Sequence, residues 1–167
     1  MARKLLLFAI KETSRSVEQG EDISKTVDQG KKATARFQTL WVWQKAHSLR
    51  GKIAELCKGL PGEEKFRIKD QIIRSSNSVA DNIAEGNSSY YYNEKIKGYY
   101  QARKEAGETQ NHLINMESRK YITKSQLNSS LEEYEEVIRG LNGLIRSVHE
   151  RRSINNGKGA RYLGKMS

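Results

Sequence analysis

Few residues of this sequence have the types and spacing that metal chemistry requires. The histidines are far apart along the chain: His47, His112 and His149. Carboxylate metal centres in helical bundles use Glu-x-x-His pairs contributed by two helices. Glu105 and Glu108, followed by His112, come nearest to this pattern, and the sequence holds no second cluster of that kind. We therefore expect neither a bound metal ion nor a cofactor.

Other catalytic motifs are also missing from the sequence. The Gly-rich segment NGKGARYLG at 156–164 lacks the P-loop signature and follows no strand pattern. The single cysteine, Cys57, excludes an intrachain disulfide and a Cys-based zinc site and is typical of a reduced, intracellular chain. The apolar run LLLFAI at 5–10 is too short to span a membrane. The sequence thus favours a cytoplasmic protein that is not an enzyme.

Basic residues are the most numerous candidates for binding a ligand. The 167 residues carry a formal net charge of +10, and such an excess favours anionic partners, nucleic acid first. Candidate phosphate contacts lie in the first two predicted helices and in the C-terminal tail: Lys45, Arg50, Lys52, Lys58, Lys65, Arg67, Lys69, Arg151, Arg152, Lys158, Arg161 and Lys165. For the basic residues of the first helix, an ordinary solvated helix face is the alternative interpretation.

Acidic residues are concentrated in the fourth predicted helix, at Glu132, Glu133, Glu135 and Glu136. A bundle with one basic and one acidic side could place its basic side on phosphate. It could equally dock against a second copy of itself.

The segment RSSNSVADNIAEG at 74–86 carries two patterns at once. At about 100° per residue, Ile68, Ile72 and the small residues that follow lie on one face, which we predict to be buried. The polar residues form a second stripe: Gln71, Arg74, Ser78, Asn82 and Glu85. Short Ser and Asn side chains suit a partly buried hydrogen-bond network against a neighbouring helix or subunit. The alternative is a solvated face that happens to contain Ser and Asn.

Four amphipathic helices must position these residues. Apolar residues recur at helical spacing in four segments: 43–60, 68–83, 92–116 and 127–148. No segment has the alternation of a strand. We therefore predict an all-α, antiparallel up-down-up-down four-helix bundle at 37–150. A polar N-terminal extension at 1–36 and a basic C-terminal tail at 151–167 would be flexible or partly helical.

Local signals predict where the helices end. Turns are expected at Pro61–Gly62, at GNSS (86–89) and at ESRKYIT (117–123). Thr123 and Gln126 have the spacing of a capping box at the start of the fourth helix. Gly98 and Gly107 in the third helix each cost about 1 kcal/mol relative to Ala, so we expect close helix packing at both.

The motifs of the first two helices occur in a combination seen in one family. LWVWQKA (40–46), Gln71-x-x-Arg74 and NIAEG (82–86) stand at fixed spacing. This combination resembles the bacterial four-helix-bundle proteins that are also called 23S rRNA intervening-sequence proteins. The resemblance covers about 37–150, and all five residues of the polar stripe are motif positions. Ala80–Asp81 departs from a frequent Pro-Ser-type pair.

The resemblance implies a small bundle that forms a ring-shaped homo-oligomer, typically a pentamer. Genes of the family lie within intervening sequences of 23S rRNA genes. In a related branch, the accessory protein of diversity-generating retroelements, a basic barrel binds a reverse transcriptase and its template RNA. With the basic charge, this leads us to expect a non-catalytic oligomeric protein that binds nucleic acid, RNA favoured. The alternative is a protein-interaction scaffold, for example an accessory subunit of a reverse transcriptase.

Overall fold

The computed structural model describes the backbone of residues 34–163 and the side chains of 34–155 except that of Lys65. This part of the chain contains no strand and four α-helices: α1 (Trp41–Leu56), α2 (Asp70–Ser88), α3 (Tyr92–Ser118) and α4 (Lys124–Leu163). Each helix packs against the next one in sequence, and α4 packs back against α1. The predicted all-α four-helix bundle is confirmed.

The residues in contact across the helices establish their directions. In α2 and α3, Gly86 lies against Gly98, whereas Ser75 lies 2.8 Å from Thr109. From the first contact to the second, the residue number falls in α2 and rises in α3, so the two helices run antiparallel. The contacts of Lys52 with Ser129 in α4 and of Arg103 in α3 with Asn142 in α4 fit the same alternation.

The predicted core face of α2 is confirmed in full. Its members are all buried: Ile68, Ile72, Ser75, Ser76, Val79, Ile83 and Gly86. Burying each large apolar side chain of this kind contributes about 1.5–3 kcal/mol. In α1, Val42 takes the first buried position and the predicted Trp43 is half-buried. The Trp43 ring packs against the edge of the core and also contacts Phe37 and His47, with centroids 5.1 and 4.7 Å away.

The chain between α1 and α2 consists of short turns. Cys57–Gly59 and Gly62–Glu64 form 3₁₀ turns, and a π-helical turn at Lys65–Lys69 leads into α2. The carboxylate of Glu64 is buried and accepts hydrogen bonds from Arg119 at 3.0 Å and from the Tyr121 hydroxyl at 3.2 Å. Glu64 therefore ties this connection to the turn between α3 and α4.

The predicted turn at 86–89 is wrong, because α2 continues to Ser88. The backbone N–H and the hydroxyl of Ser89 both donate to the carbonyl oxygen of Glu85, at 2.9 and 2.8 Å, and close the last turn. Gly86 is held inside the helix by contact with α3. The turn itself is shorter and comprises Ser89–Tyr91.

The turn between α3 and α4 follows the prediction more closely. α3 ends at Ser118, and Lys120 adopts a left-handed φ of 61°. The predicted capping box is confirmed, since the N–H of Gln126 donates to the Thr123 hydroxyl at 3.2 Å and the N–H of Thr123 donates to the Gln126 side chain at 2.8 Å.

The two glycines of α3 differ in their surroundings. A Cβ on Gly98 would lie 2.8 Å from the Cα of Gly86 and 3.1 Å from the carbonyl oxygen of Asn82. The prediction of close packing is therefore confirmed at Gly98. It is wrong at Gly107, where a Cβ would meet nothing within 4 Å.

The fourth helix extends well beyond Val148, the last residue of its predicted apolar pattern. It has 40 residues, and at 1.5 Å per residue it is about 60 Å long. Asn155 donates a hydrogen bond to the Tyr92 hydroxyl at 2.7 Å. This contact attaches the helix to the start of α3 beyond the predicted bundle limit of 150.

Candidate nucleic-acid interface

Two predicted phosphate-binding lysines of α1 form ion pairs with α4. Lys45 Nζ lies 3.3 Å from Glu133 Oε2 and 3.0 Å from Glu136 Oε2. Lys52 Nζ lies 2.5 Å from Glu133 Oε1 and 2.9 Å from Ser129 Oγ. The basic side of α1 and the acidic side of α4 thus face each other within one chain.

The pKa values show the same mutual neutralisation. The hydrogen bond to Glu136 raises the pKa of Lys45, and Glu133 adds to the effect while partial burial opposes it. Burial alone would raise the pKa of Glu133, but Lys52 and Lys45 outweigh it and hold that pKa below the usual range. A phosphate that bound these lysines would have to displace carboxylates that already neutralise them.

The other predicted basic residues lie in several places. Arg50 pairs with Asp81 at 3.4 Å and Lys58 with Glu55 at 2.7 Å. Arg67 is exposed and Lys69 half-buried, and the side chain of Lys65 lies outside the described ones. Arg151 and Arg152 are exposed on α4. Lys158 and Arg161 belong to the same helix with side chains outside the description, and Lys165 lies outside the described residues.

The bundle has two ends, and the predicted set is divided between them. One end, which we call the connector end, consists of 57–69 and 119–123 and includes Lys58, Arg67 and Lys69. The opposite end, which we call the turn end, consists of 36–41, the turn at 89–91 and the part of α4 around Arg151. The 16 residues of α1 separate these ends by about 24 Å. The predicted residues therefore do not form a single face.

A groove of about 700 Å³ lies at the turn end, and we call it the turn-end groove. Three cationic side chains line it: Arg36 from a 3₁₀ turn at Arg36–Thr39, Lys95 from α3 and Arg151 from α4. Among the side chains that the structure describes, no carboxylate forms an ion pair with any of the three. Glu94 and Glu150 are close in sequence, but both are exposed and neither lines the groove.

Lys95 occupies the centre of this cationic cluster. Its Nζ donates to the carbonyl oxygen of Asn87 at 2.8 Å, near the C-terminal end of α2, where a cation is favourable. Partial burial lowers the pKa of Lys95, and the charges of Arg36 and Arg151 lower it further. An anion in the groove would relieve this repulsion.

Tyrosines form the rest of the groove wall. Tyr90 is 87% exposed and Tyr91 is 65% exposed, and their rings meet edge to face with centroids 5.2 Å apart at 89°. Tyr99 is buried at the base, and burial raises the pKa of its hydroxyl. Aromatic rings beside cations are typical of sites that bind nucleic-acid strands.

Most of this groove was not predicted from the sequence. The predicted phosphate contacts include Arg151 but neither Arg36 nor Lys95, and the tyrosines at 90–92 were not predicted to bind a ligand. A signal was present, because YYY followed by Lys95 begins a helix directly after a short turn. Arg36 is far away in sequence, so only the folded chain brings it to this site.

The polar stripe lies along the outer side of α2. Arg74 donates to Gln71 Oε1 at 3.0 Å and lies 3.7 Å from Glu108 of α3. Asn82 donates to the backbone carbonyl of Ser78 at 2.8 Å. Gln71, Ser78 and Asn82 are half-buried, whereas Arg74 and Glu85 are exposed. The stripe is therefore partly satisfied by its own helix, and its role as a subunit interface stays a prediction.

Of the residues that came nearest to a metal motif, Glu108 and His112 lie close together, whereas Glu105 has another partner. Glu108 Oε1 lies 3.6 Å from His112 Nε2, while Glu105 accepts a hydrogen bond from Gln101. Within the described ranges, no group of three His, Cys, Asp or Glu residues could hold a metal ion. None of the described helices is both long enough and apolar enough to cross a membrane.

The known proteins that resemble this chain match the part of it that forms the bundle. The family described as 23S rRNA-intervening sequence protein matches residues 38–143. A crystal structure from Bacteroides thetaiotaomicron VPI-5482, described as a protein with unknown function from the S23 ribosomal protein family, is similar with a TM-score of 0.59 and 31% identity, covering 63% of this chain and 95% of that one. No curated protein matches the chain. Since the family match spans more than half of the sequence, the chain belongs to the 23S rRNA-intervening sequence protein family.

Proposed function

We propose that this protein is a non-catalytic, oligomeric RNA-binding protein and that the turn-end groove contributes to RNA contact. The observation that carries the proposal is the set of three cations, Arg36, Lys95 and Arg151, gathered without a carboxylate partner among the described side chains. By contrast, ion pairs with Glu or Asp of the same chain hold Lys45, Arg50, Lys52, Lys58, Arg74 and Arg119. The family's name, which refers to 23S rRNA, supports RNA as the nucleic acid.

The physical basis of this binding is electrostatic. Contacts from Lys and Arg to phosphate release condensed counterions, so affinity falls steeply as salt rises. Such contacts position the protein and carry little sequence information. Several copies in one ring would present several grooves to one RNA and convert a weak contact into an avid one.

The test is the solution mass by light scattering, with and without RNA, at low and high salt. We expect an oligomer that takes up RNA at low salt and releases it at high salt. In the same assay, Arg36→Gln with Arg151→Gln should reduce RNA uptake. The control pair Lys58→Gln with Arg67→Gln changes the same charge at the connector end and should have a smaller effect. Equal losses for the two pairs would refute the assignment to the turn end.

We propose in addition that the polar stripe of α2 contacts a neighbouring subunit. Three of its five polar residues are half-buried and two are exposed, as expected of a polar surface that a partner completes. Asn82→Leu and Arg74→Ala should each lower the solution mass or the stability of the oligomer. Lys104→Ala, an exposed change on α3, serves as the control. Wild-type mass and stability in both stripe variants would contradict the interface role.

A protein-interaction scaffold, such as an accessory subunit of a reverse transcriptase, is the second candidate. Trp41 is 56% exposed and lines an apolar groove of about 480 Å³ together with Leu40, Gly140 and Leu144. Exposed tryptophan beside an apolar groove is typical of protein contacts. An oligomer that ignores RNA at low salt would favour this second function over the first.

A further inference from the structure

The exposed tyrosines of the turn-end groove are placed where an unpaired base could reach them. Tyr90 and Tyr91 belong to the short turn between α2 and α3, and their side chains are 87% and 65% exposed. Within an RNA duplex the base faces are stacked on one another and are closed to side chains. Unpaired bases can be splayed out and stacked on aromatic rings, whatever their identity. The tyrosines thus suit single strands and offer nothing to a duplex.

Positive charge lies next to these rings. Arg36, Lys95 and Arg151 line the same groove. The N-terminus of α3 contributes as well, because Tyr91 at its N-cap position makes no side-chain capping hydrogen bond. Free N–H groups and the helix dipole favour an anion at such an end. The groove therefore combines several sources of positive charge with the aromatic wall.

The size of the groove fits a small part of a strand. Its volume of about 700 Å³ falls in the range of about 300–1,000 Å³ that small-ligand sites occupy. A phosphate and an attached base would place charge against the cations and an apolar ring against the tyrosines. A duplex would present phosphates alone.

We infer that the turn-end groove binds single-stranded RNA, with an unpaired base stacked on Tyr90 or Tyr91 and its flanking phosphates held by Arg36, Lys95 and Arg151. This inference rests on the proposed RNA-binding function and specifies the class of RNA. It distinguishes single strands, which use both halves of the groove, from duplexes, which use only its charge.

The test measures binding of the full chain to two labelled RNAs by fluorescence anisotropy. One is an oligouridylate of about ten nucleotides, within the range of single-strand sites, and the other is an A-form duplex of the same length. The double variant Tyr90→Ala, Tyr91→Ala should weaken oligouridylate binding about tenfold or more, since each lost base stack costs about fivefold or more. Duplex binding should be unchanged. Thermal unfolding checks that the variant is folded.

Matched controls separate stacking from general surface effects. Tyr100 is 43% exposed on α3, lies outside the groove and contacts Arg103, so Tyr100→Ala should leave both affinities unchanged. Tyr90→Phe with Tyr91→Phe keeps the rings and should retain oligouridylate binding. If this variant folds and binds as poorly as the alanine variant, stacking is not the interaction.

The charges are tested through the salt dependence of single-strand binding. Lys95→Gln and Arg151→Gln should each lower the salt slope by about 0.7, the value for one phosphate contact on a single strand. Lys97→Gln and Arg152→Gln neutralise exposed neighbours outside the groove and should lower the slope less. Equal slopes for groove and control variants would overturn the assignment of phosphate contacts.

The remaining outcomes show whether the single-strand inference fails alone or together with the proposed RNA-binding function. If the tyrosine variants lose duplex and single-strand affinity equally, the inference fails while RNA binding stands. If groove variants bind both RNAs like the wild type, RNA is held elsewhere and the inference fails. If the wild type binds neither RNA at low salt, the proposed function and the inference fall together.

Discussion

Replacing Gly98 by Ala offers a direct test of how closely α2 and α3 approach. The added Cβ would lie 2.8 Å from the Cα of Gly86 and 3.1 Å from its backbone N. Carbon atoms in ordinary contact lie about 3.5–4.0 Å apart. The two helices must therefore separate by roughly 1 Å at this point, because the obstructing atoms belong to a helix backbone and cannot rotate away.

The expected magnitude follows from two opposing effects. Overpacking of this kind costs about 1–3 kcal/mol, and separation of the helices also loosens buried contacts around Ile83 and Ala102. Part of this loss of stability is offset, because alanine is favoured over glycine in a helix by about 1 kcal/mol. We expect a net loss of about 1 kcal/mol for Gly98→Ala. For a chain of this size that lowers the melting temperature by about 2–4 °C.

Gly107 provides the matched control on the same helix. A Cβ there would meet nothing within 4 Å, so Gly107→Ala should raise the melting temperature by about 2–4 °C. Both variants are compared with the wild type by calorimetry at one protein concentration, because assembly makes the midpoint depend on concentration. If Gly98→Ala is as stable as Gly107→Ala, the proximity of the two backbones has been misjudged.

Two further predictions concern titratable groups. Glu133→Gln should lower the free energy of unfolding at pH 7 by about 1 kcal/mol, a value typical of partly exposed pairs. Because Lys52 and Lys45 hold the folded-state pKa of Glu133 below its unfolded value, this contribution is present above about pH 4.3 and disappears as pH falls through the folded pKa. Urea unfolding at pH 7 and pH 3 measures it, and a difference that persists at pH 3 would contradict the assignment. Burial raises the pKa of the Cys57 thiol, so a thiol reagent should react slowly with the native protein and fully after unfolding in guanidinium; fast native reaction would show that Cys57 is accessible.

Helix existence and the core faces were accessible from sequence because they depend on local periodicity. The predicted core-face residues at 68–86 recur at helical spacing over five turns, and all of them are buried. The capping box of Thr123 and Gln126 was accessible for the same reason, since its two residues are three positions apart. Such features need no knowledge of which helices become neighbours.

The errors arose where contacts between helices decide the structure. GNSS has the composition of a turn, yet contact with α3 keeps Gly86 in the helix as far as Ser88. The burial of Val42 ahead of Trp43 depends on the approach of α4, where Gly140 leaves room beside Val42. Neither neighbour can be identified from local spacing.

The candidate site was only partly accessible for a related reason. Basic residues are easy to find in a sequence, but their availability depends on what faces them. Lys45 and Lys52 point toward Glu133, whereas Arg36 and Arg151 converge from opposite parts of the chain. The composition predicts a net positive charge, but it cannot predict which part of the folded chain presents unpaired cations.

The ion pairs between α1 and α4 also influence how a polyanion would approach this molecule. Paired charges cancel at distances beyond a Debye length of about 8 Å at physiological salt, so the flank with Lys45, Lys52 and Glu133 generates little long-range potential. The turn end, in contrast, carries Arg36, Lys95 and Arg151, none of which forms an ion pair with a carboxylate among the described side chains. The electrostatic field would then steer an approaching polyanion toward the turn end of the bundle. Orientation of the incoming strand would be selected during approach, before any atom of the groove is touched.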